Sequence, residues 1–205
     1  MQGDLFIVAA PSGAGKTSLV AALIAAMPEA AVSVSHTTRP RRPHEVNGVN
    51  YHFVDENTFK RMQANNEFVE SAMVYGNLYG TSRAEVERIT SAGQHVILEI
   101  DWQGAEQIRA TVPGTKSIFI LPPSTETLRE RLQARGEDDE QTIERRMAEA
   151  INEMSHYAEF DYIVVNDEFE EALARMIQII RGRGDEFTVE AQKPGLRPLL
   201  RDLLP

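Results

Sequence analysis

Residues 5–25 read LFIVAAPSGAGKTSLVAALIA. The run from Leu5 to Ala10 is unbroken and apolar, which marks a short strand buried on both faces. Pro11-Ser12-Gly13-Ala14-Gly15-Lys16-Thr17-Ser18 follows, and then Leu19, Val20, Leu23 and Ile24 recur at helical spacing. Strand, glycine-containing loop, Lys-Thr and helix are the context a phosphate-binding loop requires. Gly13 and Gly15 let successive N–H groups turn into one cavity at a helix N-terminus, where the dipole favours an anion. Lys16 adds a charge able to reach the outer phosphates of a nucleoside triphosphate, and the Thr17 hydroxyl is placed to bind Mg²⁺. The pattern G-x-x-x-x-G-K-[ST] has Ala10 at its first position, which costs little if the backbone there keeps φ negative.

With 205 residues, 42% of them hydrophobic and 25% charged, the chain reads as one globular domain with a small inserted or mobile part. A net charge of −10 argues against nucleic-acid binding as the main role. The absence of cysteine excludes disulfides, thiolate metal sites and cysteine nucleophiles. The five histidines have no spacing suited to zinc. No apolar stretch approaches the length of a membrane span and the N-terminus has no signal-peptide pattern, so the expectation is a soluble cytoplasmic protein.

Beyond the first helix, which should end near Met27-Pro28, Val32 to Ser35 alternates like a strand. His36-Thr37-Thr38-Arg39-Pro40-Arg41-Arg42-Pro43-His44-Glu45 then packs three arginines among prolines that forbid a helix. Two readings stand: a solvated basic loop, or an anion clamp whose guanidinium forks match phosphate oxygens. Asn47-Gly48 is a turn, Tyr51 to Val54 a strand, and Asp55 leads into a helix carrying Phe59 and Met62. Phe68 to Glu70 and Ala72 to Tyr75 form a strand region, and Thr81 or Ser82 caps a helix over Glu85 to Thr90. Residues 35–90 therefore form a small α+β insertion, in which Tyr51 and Tyr79 are core aromatics or site residues.

His95 to Asp101 reads as a central parallel strand ending in acidic residues, followed by a helix from Trp102 to about Ala110. Ser117 to Leu121 is a third buried strand and Tyr162 to Asn166 the last, with a helix from Phe169 to about Arg181. Residues 125–157 are helical around a break at 136–139 and carry Arg131, Arg135, Arg145 and Arg146. That segment is either an ordinary salt-bridged helix pair or a closing lid. Residues 182–205 read as a loosely held tail ending in a short amphipathic piece, Leu199 to Leu204.

Taken jointly, APSGAGKTS, VSVSHTTRPRRPHEVNGVNYHFV, FVE, YGTS, ILEIDWQG, RLQARG, ERRM and IVVND resemble the bacterial guanylate kinase family, in order and in spacing, over residues 3–183. The resemblance implies a P-loop NTPase-type α/β fold of three layers. Its core is a central parallel sheet of residues 3–34, 91–124 and 158–183. A GMP-binding insertion (35–90), a helical lid (125–157) and a C-terminal tail (184–205) complete it. It implies Mg²⁺-dependent transfer of the γ-phosphoryl group of ATP to GMP, giving ADP and GDP, in purine nucleotide metabolism and GMP recycling. By motif position, Ala10, Pro11, Ser12, Gly13, Ala14, Gly15, Lys16 and Thr17 hold the ATP phosphates, with Thr17 at the metal and Arg135 and Asn166 on the ATP side. Arg39, Arg42, Tyr51 and Tyr79 become the clamp on the GMP phosphate; Ser35, Glu70, Thr81 and Asp101 read guanine. Lys16, Arg39, Arg131 and Arg146 are the cations at the transferring group.

The chemistry of those residue types agrees. Guanine presents N1–H and an exocyclic amine as adjacent donors, which one carboxylate accepts together, whereas adenine presents an acceptor at N1 and leaves that carboxylate unpaired. Glu99 stands where many relatives have Asp, so its role is open among metal, guanine and neither. The rival from another class is a catalytically inactive guanylate-kinase-like module that binds protein partners, which the intact Lys16, Thr17 and lid arginines argue against. A regulatory GTPase would need N-K-x-D, which Asn166-Asp167 does not supply, and Glu70 and Asp101 argue against an AMP or pyrimidine kinase. A homo-oligomer stays open.

Overall fold

The computed structural model describes residues 3–134 and 139–204. In chain order the elements begin with β1 (Leu5–Ala9), α1 (Lys16–Ala26), β2 (Ala30–Val32), β3 (His36–Thr37), β4 (His52–Phe53) and α2 (Glu56–Ala64). They continue with β5 (Phe68–Val74), β6 (Asn77–Ser82), α3 (Arg83–Ser91), β7 (His95–Glu99), α4 (Trp102–Thr111) and β8 (Lys116–Leu121). The last are α5 (Thr125–Gln133), α6 (Glu140–Ser155), β9 (Tyr162–Val165), α7 (Phe169–Ile180) and α8 (Val189–Leu203).

A five-stranded sheet has the order β2-β7-β1-β8-β9, with β2 parallel to β7 and β8 parallel to β9. Every residue of β1 is buried, as are Val96 to Leu98 of β7 and Ser117 to Leu121 of β8, which is why these strands read as continuous apolar runs. The chain divides into two compact units, residues 1–7 with 28–115 and residues 8–27 with 116–205, so β1 contributes to both. The insertion expected over 35–90 lies wholly in the first unit and the lid expected over 125–157 wholly in the second.

In the first unit a second sheet has the order β4-β3-β6-β5. β5 and β6 form a hairpin across Tyr75 and Gly76, whose φ values of 51° and 75° are those a two-residue hairpin turn needs. Counted from that turn, the unbroken β5–β6 register brings Glu70 opposite Thr81, and it shifts only beyond Glu70, where Phe68 faces Ser82. Phe59 of α2 and Phe68 of β5 pack with ring centroids 4.6 Å apart and give this sheet its own small core.

In the second unit α6 buries Ile143, Met147, Ala150 and Met154, a stripe at helical spacing, and α7 buries Ala172, Met176, Ile179 and Ile180. Three expectations are corrected. The strand expected at Val32–Ser35 ends at Val32, because Ser33–Ser35 is the crossing from one sheet to the other. The strand expected to reach Asp101 ends at Glu99, and Asp101 instead caps α4, accepting from Gly104 N at 2.9 Å.

The third correction concerns the C-terminal tail, which is helical and anchored. α8 runs through Pro194 and Pro198, residues that cost about 3 kcal/mol each in a free helix. Burial of Val189, Leu196 and Leu203 offsets that cost, as do the hydrogen bonds of Gln192 Nε2 to Ile163 O at 2.6 Å and of Thr125 N to Asp202 Oδ2 at 2.8 Å.

Candidate active site

The phosphate-loop region belongs to the second unit. Gly13 and Gly15 take φ values of 93° and 91°, left-handed conformations that a Cβ would strain. Ala10 is not among the described residues with positive φ, so its methyl costs nothing there. Among the described residues, six of the eight α-helices start on a side chain that accepts from their first turn; α1 and α7 do not. At α1 the cap is Gly15, so the first N–H groups, next to Lys16 and Thr17, face a loop rather than a capping side chain.

Two side chains brace this loop. Asn166 Nδ2 donates to Ala14 O at 2.7 Å, and a Cβ on Gly15 would fall 2.4 Å from that nitrogen, so Gly15 also makes room for the brace. Glu153 Oε2, from α6, accepts from Ser12 N at 3.1 Å. Arg131 Nη2 donates to the Asn166 carbonyl at 3.1 Å, while its Nη1 is buried with no hydrogen-bond partner among the described residues. Such a donor costs free energy unless an acceptor arrives. Arg146 is half-buried on α6, two turns before Glu153 and therefore on the helix face that Glu153 turns to the loop. Arg135 lies outside the described residues.

The remaining expected site residues belong to the first unit and form two clusters. In one, Glu70 is 5% exposed and its Oε1 accepts from Thr81 Oγ1 at 2.5 Å. Burial pushes its carboxyl pKa up to about 7; the Thr81 hydrogen bond works against that and the nearby Asp101 carboxylate reinforces it. Asp101 uses Oδ1 on Gly104 N and Oδ2 on Gln103 Nε2, at 2.9 and 3.0 Å. Gly104 keeps Glu70 in place by having no side chain: a Cβ there would sit 2.7 Å from Glu70 Oε2. Ser35 is buried just before β3, and its carbonyl accepts from His52 N at 2.9 Å.

In the other cluster the Arg39 guanidinium carbon lies 5.5 Å from the centre of the Tyr51 ring and 5.7 Å from that of Phe53, and the Tyr51 and Tyr79 rings meet edge to face at 5.8 Å. Burial alone would lower the Arg39 pKa, but its hydrogen bond to Glu45 and its contact with Tyr79 raise it. Burial lifts the Tyr51 phenol to about 12, helped by Tyr79 and by the charge of the Glu99 carboxylate. Arg42 joins through its backbone, whose N–H donates to Glu45 Oε2 at 2.8 Å.

Sequence reasoning assigned nothing to Glu45, Glu153 or Gly104. Glu45 had a faint signal, a carboxylate closing a run of arginines. Glu153 had none, since it reads as one acid among several on an amphipathic helix.

Residues 2–183 match the family model described as guanylate kinase. The chain is 55% identical over 204 residues to a guanylate kinase of Alkalilimnicola ehrlichii, covering all of both chains. It is 53% identical to one of Methylococcus capsulatus, over 99% of this chain and 98% of the relative. The crystal structure of guanylate kinase from Anaplasma phagocytophilum superimposes with a TM-score of 0.72 at 34% identity, covering 97% of this chain and 94% of that one. The chain belongs to the guanylate kinase family and is a kinase, an enzyme that transfers phosphoryl groups.

Proposed function

We propose that this protein transfers the γ-phosphoryl group of ATP in line to GMP, giving ADP and GDP, and so serves purine nucleotide metabolism and GMP recycling. The observation that carries the reading is the buried carboxylate of Glu70, flanked by Thr81 and Asp101 and already half-way to accepting a proton near pH 7. Ionised, it matches the paired N1–H and amine donors of guanine. With Ser35 and Asp101 it rejects bases that lack that pair, because the wrong base leaves a buried carboxylate unsatisfied.

Arg39 and Arg42, with Tyr51 and Tyr79, hold the GMP phosphate; the tilted aromatic walls around Arg39 support a guanidinium held for an incoming anion. On the donor side the N–H groups from Gly13 to Thr17 and the Lys16 ammonium hold the ATP phosphates. The buried, unspent Nη1 of Arg131 supports its role as a cation toward the transferring oxygens, with Arg146 and Arg135 on the same segment. Asn166 keeps the loop in shape on the ATP side. Residues 125–157 act as the lid that shields ATP from water, and 35–90 as the acceptor-binding insertion.

The phosphoryl group passes through a loose transition state, so catalysis is positioning and charge stabilisation, and no general base is required. Among the described residues no three His, Asp or Glu side chains come together to hold a metal. This donor chemistry fits a Mg²⁺ held chiefly by ATP oxygens and water, with the Thr17 hydroxyl as the protein ligand. When bound, such an ion draws negative charge from the phosphates. No described helix is long and apolar enough to cross a membrane, and the reading needs neither a membrane nor nucleic acid.

The test is ADP formation from Mg-ATP with GMP, AMP, CMP or UMP as acceptor. Turnover with GMP alone is expected. Turnover with AMP instead would overturn the assignment of Glu70 and Asp101. A folded protein that binds GMP and turns over nothing would move the reading to an inactive binding module.

A further inference from the structure

The arginine-proline loop has an organiser that the acceptor-binding reading leaves out. Glu45 is 6% exposed, on a loop whose neighbours Arg41, His44 and Val46 are exposed. Its two carboxylate oxygens are divided between the two clamp arginines. Oε1 takes the Arg39 guanidinium at 2.6 Å, and Oε2 takes the backbone N–H of Arg42 at 2.8 Å. Its main chain closes the same ring: Arg41 Nη1 donates to Glu45 O at 2.7 Å, and Glu45 N donates to Arg42 O at 3.1 Å. Burial would raise its pKa, yet the bonds from Arg39 and Arg42 hold the carboxyl below the usual range, so it is an anion at neutral pH.

The loop has no helix or strand to fix it between Thr37 and His52, apart from the short turns around residues 43–51. Prolines at 40 and 43 restrict the backbone but cannot aim a guanidinium. Aim comes from three contacts on Arg39. Nη2 is held by Glu45, Nη1 donates to Pro40 O at 2.9 Å, and the planar group lies against Tyr51 and Phe53. A guanidinium has five N–H donors, more than these contacts use, so the fork keeps donors for another anion. A single carboxylate thus sets both the rotamer of one arginine and the backbone course of the next.

We infer that Glu45 is the positioning residue of the acceptor-phosphate clamp, fixing the Arg39 fork and the Arg42 main chain in the geometry that receives the phosphate of GMP. The inference rests on the proposal that Arg39 and Arg42 bind that phosphate. Glu45 itself touches no substrate in this account; it acts through the two arginines.

The test separates the phosphate arm from the base arm. Glu45→Gln keeps the shape of the side chain but turns one acceptor into an amine, which must face either Arg39 or the Arg42 N–H. Glu45→Asp keeps both acceptors on a shorter reach. Dissociation constants for GMP and for guanosine, which lacks the phosphate, are measured for all three proteins by calorimetry, with KM and kcat for GMP and ATP alongside. Glu45→Gln should weaken GMP roughly 10- to 100-fold, the usual loss when an aligned group shifts by about 1 Å. Guanosine binding and KM for ATP should stay within about twofold, and Glu45→Asp should recover part of the loss.

Equal weakening of GMP and guanosine would make Glu45 a general support of the unit and overturn the inference, as would unchanged GMP binding in Glu45→Gln. If the unaltered protein binds GMP no better than guanosine, the phosphate clamp itself fails, which is a different result from a working clamp indifferent to Glu45.

Discussion

The proposed phosphate loop and the proposed acceptor-binding clusters are built from opposite materials. The loop is contiguous, residues 10–18, and works by leaving things out: two glycines without Cβ atoms and a helix start without a capping side chain. In the proposed function its hold on an anion comes from backbone N–H groups, with Asn166 and Glu153 bracing the loop. The proposed acceptor clusters are assembled from Ser35, Arg39, Tyr51, Glu70, Tyr79, Thr81 and Asp101, carried on β5, β6, the cap of α4 and the loops flanking β3. They work by burying charge and satisfying it, with Glu70 on Thr81, Asp101 on Gly104 and Gln103, and Arg39 on Glu45. A site of the first kind binds phosphate whatever is attached to it; a site of the second kind can choose its partner.

That contrast can be broken in order of expected effect. Lys16→Ala should lower kcat by about 10³-fold, the scale seen when a main electrostatic donor is lost from a transition state. GMP affinity in the same protein should stay within about twofold, checked by calorimetry beside steady-state rates. A comparable loss of GMP binding would mean that the two regions are not separable. Gly104→Ala drives a methyl to 2.7 Å from Glu70 Oε2 and must displace that carboxylate. GMP should bind roughly tenfold to a hundredfold more weakly, with KM for ATP unchanged.

The smallest effect is the dependence on pH. With its pKa raised to about 7, Glu70 keeps its proton in the folded protein across a range where an unfolded glutamate has lost it. The stability it contributes is complete below the unfolded pKa, and it is lost as pH rises through about 7. Guanine needs the ionised form, so guanosine should bind about tenfold more tightly at pH 8 than at pH 6. Guanosine is the right probe, because a phosphate monoester titrates near the same pH. Flat binding across that range, or an equal slope in Glu70→Gln, would remove Glu70 from the guanine contact.

How much was legible in the sequence follows the same division. The loop, the buried strands β1, β7, β8 and β9, and helices α1, α2, α4 and α7 could be read because each is specified by neighbours in the chain. The tail could not: Pro194 and Pro198 speak locally against a helix, and only burial of Val189, Leu196 and Leu203 explains why α8 exists. Ser33 to Ser35 alternates like a strand but spans two sheets, a fact of topology that periodicity cannot carry. Glu70 could be proposed from resemblance, yet its pairing with Thr81 is set by the register of the β5–β6 hairpin, counted from the turn at Tyr75 and Gly76. Glu45 lay in plain view inside the arginine run, but its role appears only when the loop folds back on it.

The central claim is that a buried carboxylate on β5 chooses the acceptor base. The measurement that meets it most directly is the ratio of kcat/KM for GMP to that for AMP, in Glu70→Gln and in the unaltered protein, with KM for ATP recorded in the same series. A glutamine keeps the size of the side chain but can no longer accept both guanine donors. The ratio should fall by about 100-fold or more, through loss of GMP, while KM for ATP stays put. A ratio that survives the substitution would contradict the account, and would mean that the base is chosen elsewhere in the molecule.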